Sequence, residues 1–181
     1  MLRLFFALQP PAVESAALVE RLRPIATELS AQPMPAEHLH ATLCFVGAVA
    51  PEKLAQLCEF AAMVRGEPVS LSFAALEYWE QPKVLCATAL EDEGTHCAQE
   101  LARDLSLCAI AAGFAADSKP FRPHLTLARK VRTEAAVWPR PLEPAFLMQC
   151  TRFALMESRR GEFGSIYSVV DSWPLDGANV S

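Results

Sequence analysis

The sequence has no Cys-x-x-Cys pair, no apolar run long enough to cross a bilayer and no surplus of positive charge. Each absence narrows what the chain does. The six cysteines are scattered singly, several of them within apolar periodic runs, where Cys behaves as a small hydrophobe. They read as reduced and mostly buried, as in a cytoplasmic protein. The apolar opening "MLRLFFAL" breaks at Pro10, after too few residues for a secretory signal. With no span, no membrane partner is expected. A net charge of −5 makes a poor non-specific grip on long nucleic acid, which needs many Lys and Arg contacts to phosphates. It leaves room for a small basic pocket that holds one or two phosphates.

What is present reads as a folded unit. Apolar residues make up 52% and charged residues 20% of 181 positions, a globular composition. A chain of this length buries roughly 70% of its unfolded surface and suits one domain, 1–181. "LRLFFAL" reads as a buried strand. Leu18, Leu22, Ile25, Ala26 and Leu29 then follow a helical spacing, with a kink or early end expected at Pro24. "LHATLCFVG" is the next strand. Pro51 opens a helix with a stripe through Leu54, Leu57 and Ala61, ended by Gly66. "PVSLSFAALEYW" and "KVLCATAL" are strands, and a helix follows from about Gly94 to Ala112. "RPHLTLAR" is a strand again. Pro139, Pro141 and Pro144 mark a connection. "FLMQCTRFALMES" and "SIYSVVDSW" form a closing hairpin around "RRGEFG".

Two of the four histidines share one setting: His40-Ala41-Thr42-Leu43 and His124-Leu125-Thr126-Leu127. The recurrence is wider than four letters. Strand, helix, loop and a strand opening on His-x-Thr-Leu occur in that order twice, over 2–47 and 84–129. The expected fold is therefore α+β and two-lobed. Duplicated strand-helix-strand units are related by a pseudo-twofold axis, with antiparallel sheets lining one central cleft.

Alternate side chains of a strand share a face. His40 and Thr42 point one way while Leu39, Ala41, Leu43 and Phe45 point into a core. His124 and Thr126 share a face opposite Leu125 and Leu127. Facing strands bring two imidazoles and two hydroxyls together. An ordinary imidazole titrates near ~6.5, so one ring can be neutral while the other is charged, which suits acid–base catalysis without a metal. Thr hydroxyls can hydrogen-bond phosphate oxygens as charge develops. His38 and His40 also form His-x-His, a metal-like spacing, but no neighbouring Cys, Asp or His completes a ligand set. No metal and no cofactor is expected. By alternation Arg122 lies on the His124 face and Arg129 does not, unless the strand bulges. Arg122 is therefore the favoured phosphate contact over Arg129. His38 sits at the strand entrance and can face the cleft rim. Phe121, Tyr78, Trp79 and Tyr167 are weighed as base-stacking residues, with packing in the core or at the rim favoured. His96 reads as a surface residue, and Arg159 and Arg160 as solvated charges.

At these residues the sequence resembles the two-histidine phosphoesterases, and more closely the bacterial and archaeal RNA 2′,3′-cyclic phosphodiesterases, also called 2′-5′ RNA ligases. The resemblance rests on "RLFFAL", "LHATLCFVG", "FRPHLTLAR" and "LMESRRGEFGSIYSVVDSWPL", nearly the whole chain. It implies ATP-independent opening of a 2′,3′-cyclic phosphate at an RNA end, with reversible 2′-5′ joining as a side activity. It implies His40 as proton donor, His124 as proton acceptor, and Thr42 and Thr126 as phosphate holders. Cys86 stands where relatives often carry Trp. The expected protein is a monomer acting on RNA with a cyclic phosphate end. The competing readings are a cyclic phosphodiesterase of small nucleotides, an idle RNA-end binding module, and a metal-dependent hydrolase.

Overall fold

A computed structural model describes residues 1–116, 121–132, 137–162 and 164–176. In chain order the elements are β1 (Leu2–Leu8), α1 (Ala12–Glu28), β2 (Gln32–Pro33), β3 (Ala41–Val49), α2 (Leu54–Ala61), β4 (Val69–Trp79), β5 (Val84–Ala89), α3 (Glu93–Ala111), β6 (His124–Arg129), β7 (Arg140–Cys150), β8 (Arg152–Gly161) and β9 (Gly164–Pro174). Two sheets form, in the orders β3-β1-β8-β9 and β2-β6-β5-β4-β7, and every pairing is antiparallel. The duplicated units are there: β1-α1-β3 in one sheet and β5-α3-β6 in the other. In each, the strand with the His-x-Thr-Leu motif pairs with the strand that opens its unit. The two motif strands, β3 and β6, approach each other.

One core runs through both sheets. It includes Leu4, Phe6 and Leu8 of β1, Leu43 and Val46 of β3, Leu71 and Phe73 of β4, Leu125 and Leu127 of β6, and Leu18 and Leu22 of α1. The alternation that points His and Thr one way sends these partners the other way. The α3 start is capped by Asp92, whose carboxylate accepts from the Thr95 backbone N–H at 3.0 Å.

Four local expectations change. Helix α1 does not end at Pro24 but continues to Glu28, because burial of Leu18, Leu22 and Ala26 holds turns on both sides of the missing donor. Helix α2 ends at Ala61, before Gly66. Pro141 and Pro144 lie inside β7, not in a connection. β7 is an edge strand, and its ladder with β4 is broken between Phe73 and Ala75; Pro144 falls in that break and Pro141 at its border, opposite Ala75. "FLMQCTRFALMES" is not one strand. It divides at Thr151: β7 joins the second sheet, and β8 pairs with β9 in the first. Phe163 of the expected "RRGEFG" turn lies outside the described residues. None of the six cysteines forms a disulfide; Cys44, Cys86 and Cys150 are buried, and Cys58, Cys97 and Cys108 are half-buried.

Leu125 is fully buried directly behind the His124–Thr126 face. Leu125→Ala should lower the unfolding free energy by about 2–5 kcal/mol, read from the urea midpoint. An unchanged midpoint would mean that this face is not backed by the core.

Candidate active site

His40 immediately precedes β3, and His124 opens β6. Both rings are fixed in the same way. His40 Nδ1 lies 2.7 Å from the His38 carbonyl oxygen, and His124 Nδ1 lies 2.9 Å from the Arg122 carbonyl oxygen. A carbonyl only accepts, so Nδ1 carries the hydrogen in each ring. Nε2 is then the nitrogen left for a ligand. Both rings and both threonines line one cleft of about 340 Å³, together with Arg129 and Tyr167. The His124 wall is aromatic: the Trp79 ring centroid is 4.6 Å away. His40 sits between Phe5 at 5.0 Å and Tyr167 at 4.8 Å.

This environment favours neutral rings. Burial pushes His40 down from its ordinary value to about 4, and the positive charges of Arg129, His124 and His38 push the same way. Burial also lowers His124, against a raising effect from its backbone hydrogen bond. In the free protein at neutral pH both Nε2 atoms are therefore proton acceptors. At neutral pH, negative charge brought into the cleft would favour charging of either ring.

The arginines do not follow simple alternation. In β6, Thr126 pairs with Cys86 and Ala128 with Leu85, so Leu127 is an extra residue in the ladder. This β-bulge buries Leu127 and Ala128 together and returns Arg129 to the face of Thr126. Arg129 Nη2 donates to the Tyr167 hydroxyl at 3.1 Å, while its Nε is buried without a partner. Arg122, by contrast, is tied to Glu77 at 2.5 Å and lies over the Trp79 ring, outside the residues lining the cleft.

β3 repeats the device. Thr42 pairs with Ala7 and Cys44 with Phe6, which makes Leu43 the extra residue. Phe45 then takes the place that Arg129 holds in the other unit. It lines the cleft at 54% exposure.

Other candidates are dispersed. The His38 ring meets Tyr167 edge-on at 5.5 Å and lines a neighbouring pocket. Phe121 and Tyr78 pack against the core, outside the cleft lining. His96 is exposed and 3.6 Å from Glu100. Arg159 pairs with Glu157 at 2.6 Å rather than standing solvated alone. Cys86 lies opposite Thr126 on the neighbouring strand, and burial pushes its thiol up to about 12. The aromatic wall comes from Trp79, one strand further on.

Simple alternation sends Phe45 into the core, but the bulge at Leu43 turns it onto the cleft; sequence reasoning missed Glu77 altogether. Phe45 had a signal: it stands three residues after the first motif threonine, as Arg129 does after the second. Glu77 had none. Its carboxylate accepts from Trp79 Nε1 at 3.0 Å, from Thr88 Oγ1 at 3.2 Å and from Arg122. Burial raises its titration, but the bonds from Trp79 and Arg122 outweigh this and hold it below the usual carboxylate range. Among the described residues, no group of three His, Cys, Asp or Glu side chains is arranged to hold a metal ion, and no helix is long and apolar enough to cross a membrane.

A duplicated α+β frame, with a His-x-Thr strand from each half opening on one cleft, is the architecture of a two-histidine phosphoesterase. Comparison with known proteins agrees. Residues 8–86, which include the first motif, match the model of the "LigT like Phosphoesterase" family. The RNA 2′,3′-cyclic phosphodiesterase of Geobacillus stearothermophilus is 37% identical over 150 residues, covering 78% of this chain; the chain spans 47% of that protein's length. The protein of that name from Archaeoglobus fulgidus is 32% identical, over 65% of this chain and 69% of its own length. The crystal structure of Escherichia coli LigT complexed with 3′-AMP superposes with a TM-score of 0.83 at 25% identity, covering 96% of this chain and 98% of that one. The chain belongs to the LigT-like phosphoesterase family.

Two titrations follow. His40 holds a folded value near 4 against ~6.5 in an unfolded chain, so the unfolded state takes up the proton first as pH falls. Stability contributed by the neutral ring is full above pH ~6.5 and is lost on descending toward 4, an effect of about 3 kcal/mol. Denaturation at pH 7 and pH 4 should show this loss reduced by about that amount in His40→Asn. In a second test, Arg129→Met should move the His40 titration upward in an NMR pH series. A downward move would contradict the charge placement.

Proposed function

We propose that this protein opens the 2′,3′-cyclic phosphate at an RNA end and leaves a 2′-phosphate. The observation that carries the reading is the matched pair of imidazoles. Each has its Nδ1 tied to a backbone carbonyl and its Nε2 left for a ligand, and each has a threonine beside it in the same cleft. His124 takes a proton from water as the water oxygen bonds to phosphorus. The bond from phosphorus to the 3′-oxygen breaks, and His40 gives that oxygen its proton. Thr42 and Thr126 donate to the non-bridging oxygens, and the Arg129 guanidinium balances their charge. Arg122 is committed to Glu77 and acts on His124 through its carbonyl. The scheme uses neither metal nor ATP. With an RNA 5′-hydroxyl in place of water, the same displacement forms a 2′-5′ linkage, and its reverse opens one. We assign His40 as donor even though it is neutral in the free protein. The anionic substrate, placed beside it, supplies the negative charge that makes its protonation favourable.

A second reading keeps the chemistry and changes the substrate to a small nucleotide. It is favoured by a cleft of about 340 Å³, within the usual range for a small ligand, and by the 3′-AMP complex of the E. coli relative. An idle RNA-end binding module predicts binding without turnover.

The test is incubation with a short RNA ending in a 2′,3′-cyclic phosphate, with chelator and without ATP, followed by identification of the product. We expect a 2′-phosphate. His40→Ala and His124→Ala should each lose about 10²–10⁴-fold in rate. Thr42→Ala or Thr126→Ala should cost up to about 10²-fold, mainly in kcat. Turnover abolished by chelator would favour a metal-dependent hydrolase.

The pH profile is a separate check. The productive form has one ring charged and one neutral, and kcat/KM reports the free protein's macroscopic values. Both values lie below the usual imidazole range, one of them near 4. kcat/KM should therefore peak on the acid side of ~6.5 and fall as pH rises through neutrality. A plateau from pH 7 to 8 would contradict this protonation scheme.

A further inference from the structure

The cleft does not end at the imidazoles. A second pocket, also of about 340 Å³, adjoins it, and Arg129 and Ser165 line both. Tyr167 stands at the junction. Its ring meets His40, which lines the first space, and His38, which lines the second, and its hydroxyl accepts from Arg129. The second pocket has an apolar side made by Met34, Pro35 and Ile166. Ile166 is 51% exposed there, a large aliphatic side chain left open on the pocket wall. Beside it are two cations in sequence, Arg129 and Lys130. Lys130 has φ +55°, a left-handed backbone that a lysine rarely adopts and that turns the chain sharply as it leaves β6. Arg129 Nε, at the junction, is a buried donor without a partner. The lining also includes the Glu162 carboxylate, an acceptor suited to a base amino group.

We infer that this second pocket binds the penultimate nucleotide of the RNA, with the phosphodiester joining it to the terminal nucleotide held at Arg129 and Lys130. The inference rests on the cyclic phosphodiesterase reading and gives its substrate a minimum length. A terminal cyclic phosphate has used both its 2′- and 3′-oxygens, so the rest of the RNA leaves only through the 5′-oxygen. The next phosphate is an anion that needs positive charge at the edge of the first space, where Arg129 and Lys130 line the wall. The next base is a flat, apolar-faced group, and the Met34–Pro35–Ile166 side offers it a surface. A mononucleotide leaves this pocket empty.

The experiment compares kcat/KM for a nucleoside 2′,3′-cyclic phosphate with that for a dinucleotide carrying the same terminal group. The wild type should prefer the dinucleotide by about tenfold or more, with the preference weakened by salt. Two variants outside the acid–base machinery test the cause. Lys130→Asn removes the charge with a residue that tolerates a left-handed backbone. Ile166→Asp puts a carboxylate on the apolar side, on an exposed strand position. Each should cut the dinucleotide preference several-fold and leave mononucleotide turnover unchanged. Equal turnover of the two substrates by the wild type would overturn the inference. So would variants that keep the full preference, or variants that slow the mononucleotide equally, which would put the terminal nucleoside in this pocket. Failure of the chemistry itself reads differently: neither substrate would turn over, and His124→Ala would change nothing.

Discussion

Two hydrogen bonds of the same kind set the geometry of the cleft: each imidazole donates from Nδ1 to the backbone carbonyl two residues earlier. The bond fixes the tautomer and the ring plane together, so Nε2 is presented without help from a neighbouring carboxylate. It depends on an extended backbone leading into each motif strand. That backbone in turn depends on Leu39 and Pro123, both buried, lying between each ring and its acceptor. Burial then lowers the affinity of both rings for protons, so the empty cleft holds little imidazolium charge. In the proposed mechanism, the negative charge of a bound phosphate separates the two rings into one donor and one acceptor.

Around this pair the two halves share a frame and differ in detail. Both motif strands bulge at the leucine after the threonine, and both re-aim the residue two places further on. In one half that residue is Phe45, in the other Arg129. His40 is enclosed by Phe5 and Tyr167. His124 has Trp79, and Trp79 is held by Glu77, which also holds Arg122. Arg129 comes from the β6 half, but its guanidinium reaches across to Tyr167 and acts on His40, with no counterpart from the β3 half.

The duplication was legible in the sequence because its signal is local: a two-residue alternation within each strand and an element order that repeats. His40, Thr42, His124 and Thr126 needed only that. Arg129 did not follow, because a bulge is a property of two strands in register and leaves alternation within one strand uninformative. Proline was misleading three times, and the reasons differ. Pro24 is overridden by core burial on its own helix, whereas Pro141 and Pro144 are tolerated on an edge strand, at the border of a break in the ladder and within it. The division at Thr151 was hidden because strand-forming residues run on through it, and only the partner sheet changes.

Phe45 and Arg129 occupy equivalent places in units of similar order. A homodimer built from one such unit would have each residue twice, so its cleft would carry either two arginines or none. It would also present two identical imidazoles to a substrate whose two ester oxygens are not equivalent. Joining the units in one chain removes that restriction. Each half can mutate alone, so a near-symmetric scaffold can present a chemically one-sided cleft, with a fixed direction in which a polarised substrate lies.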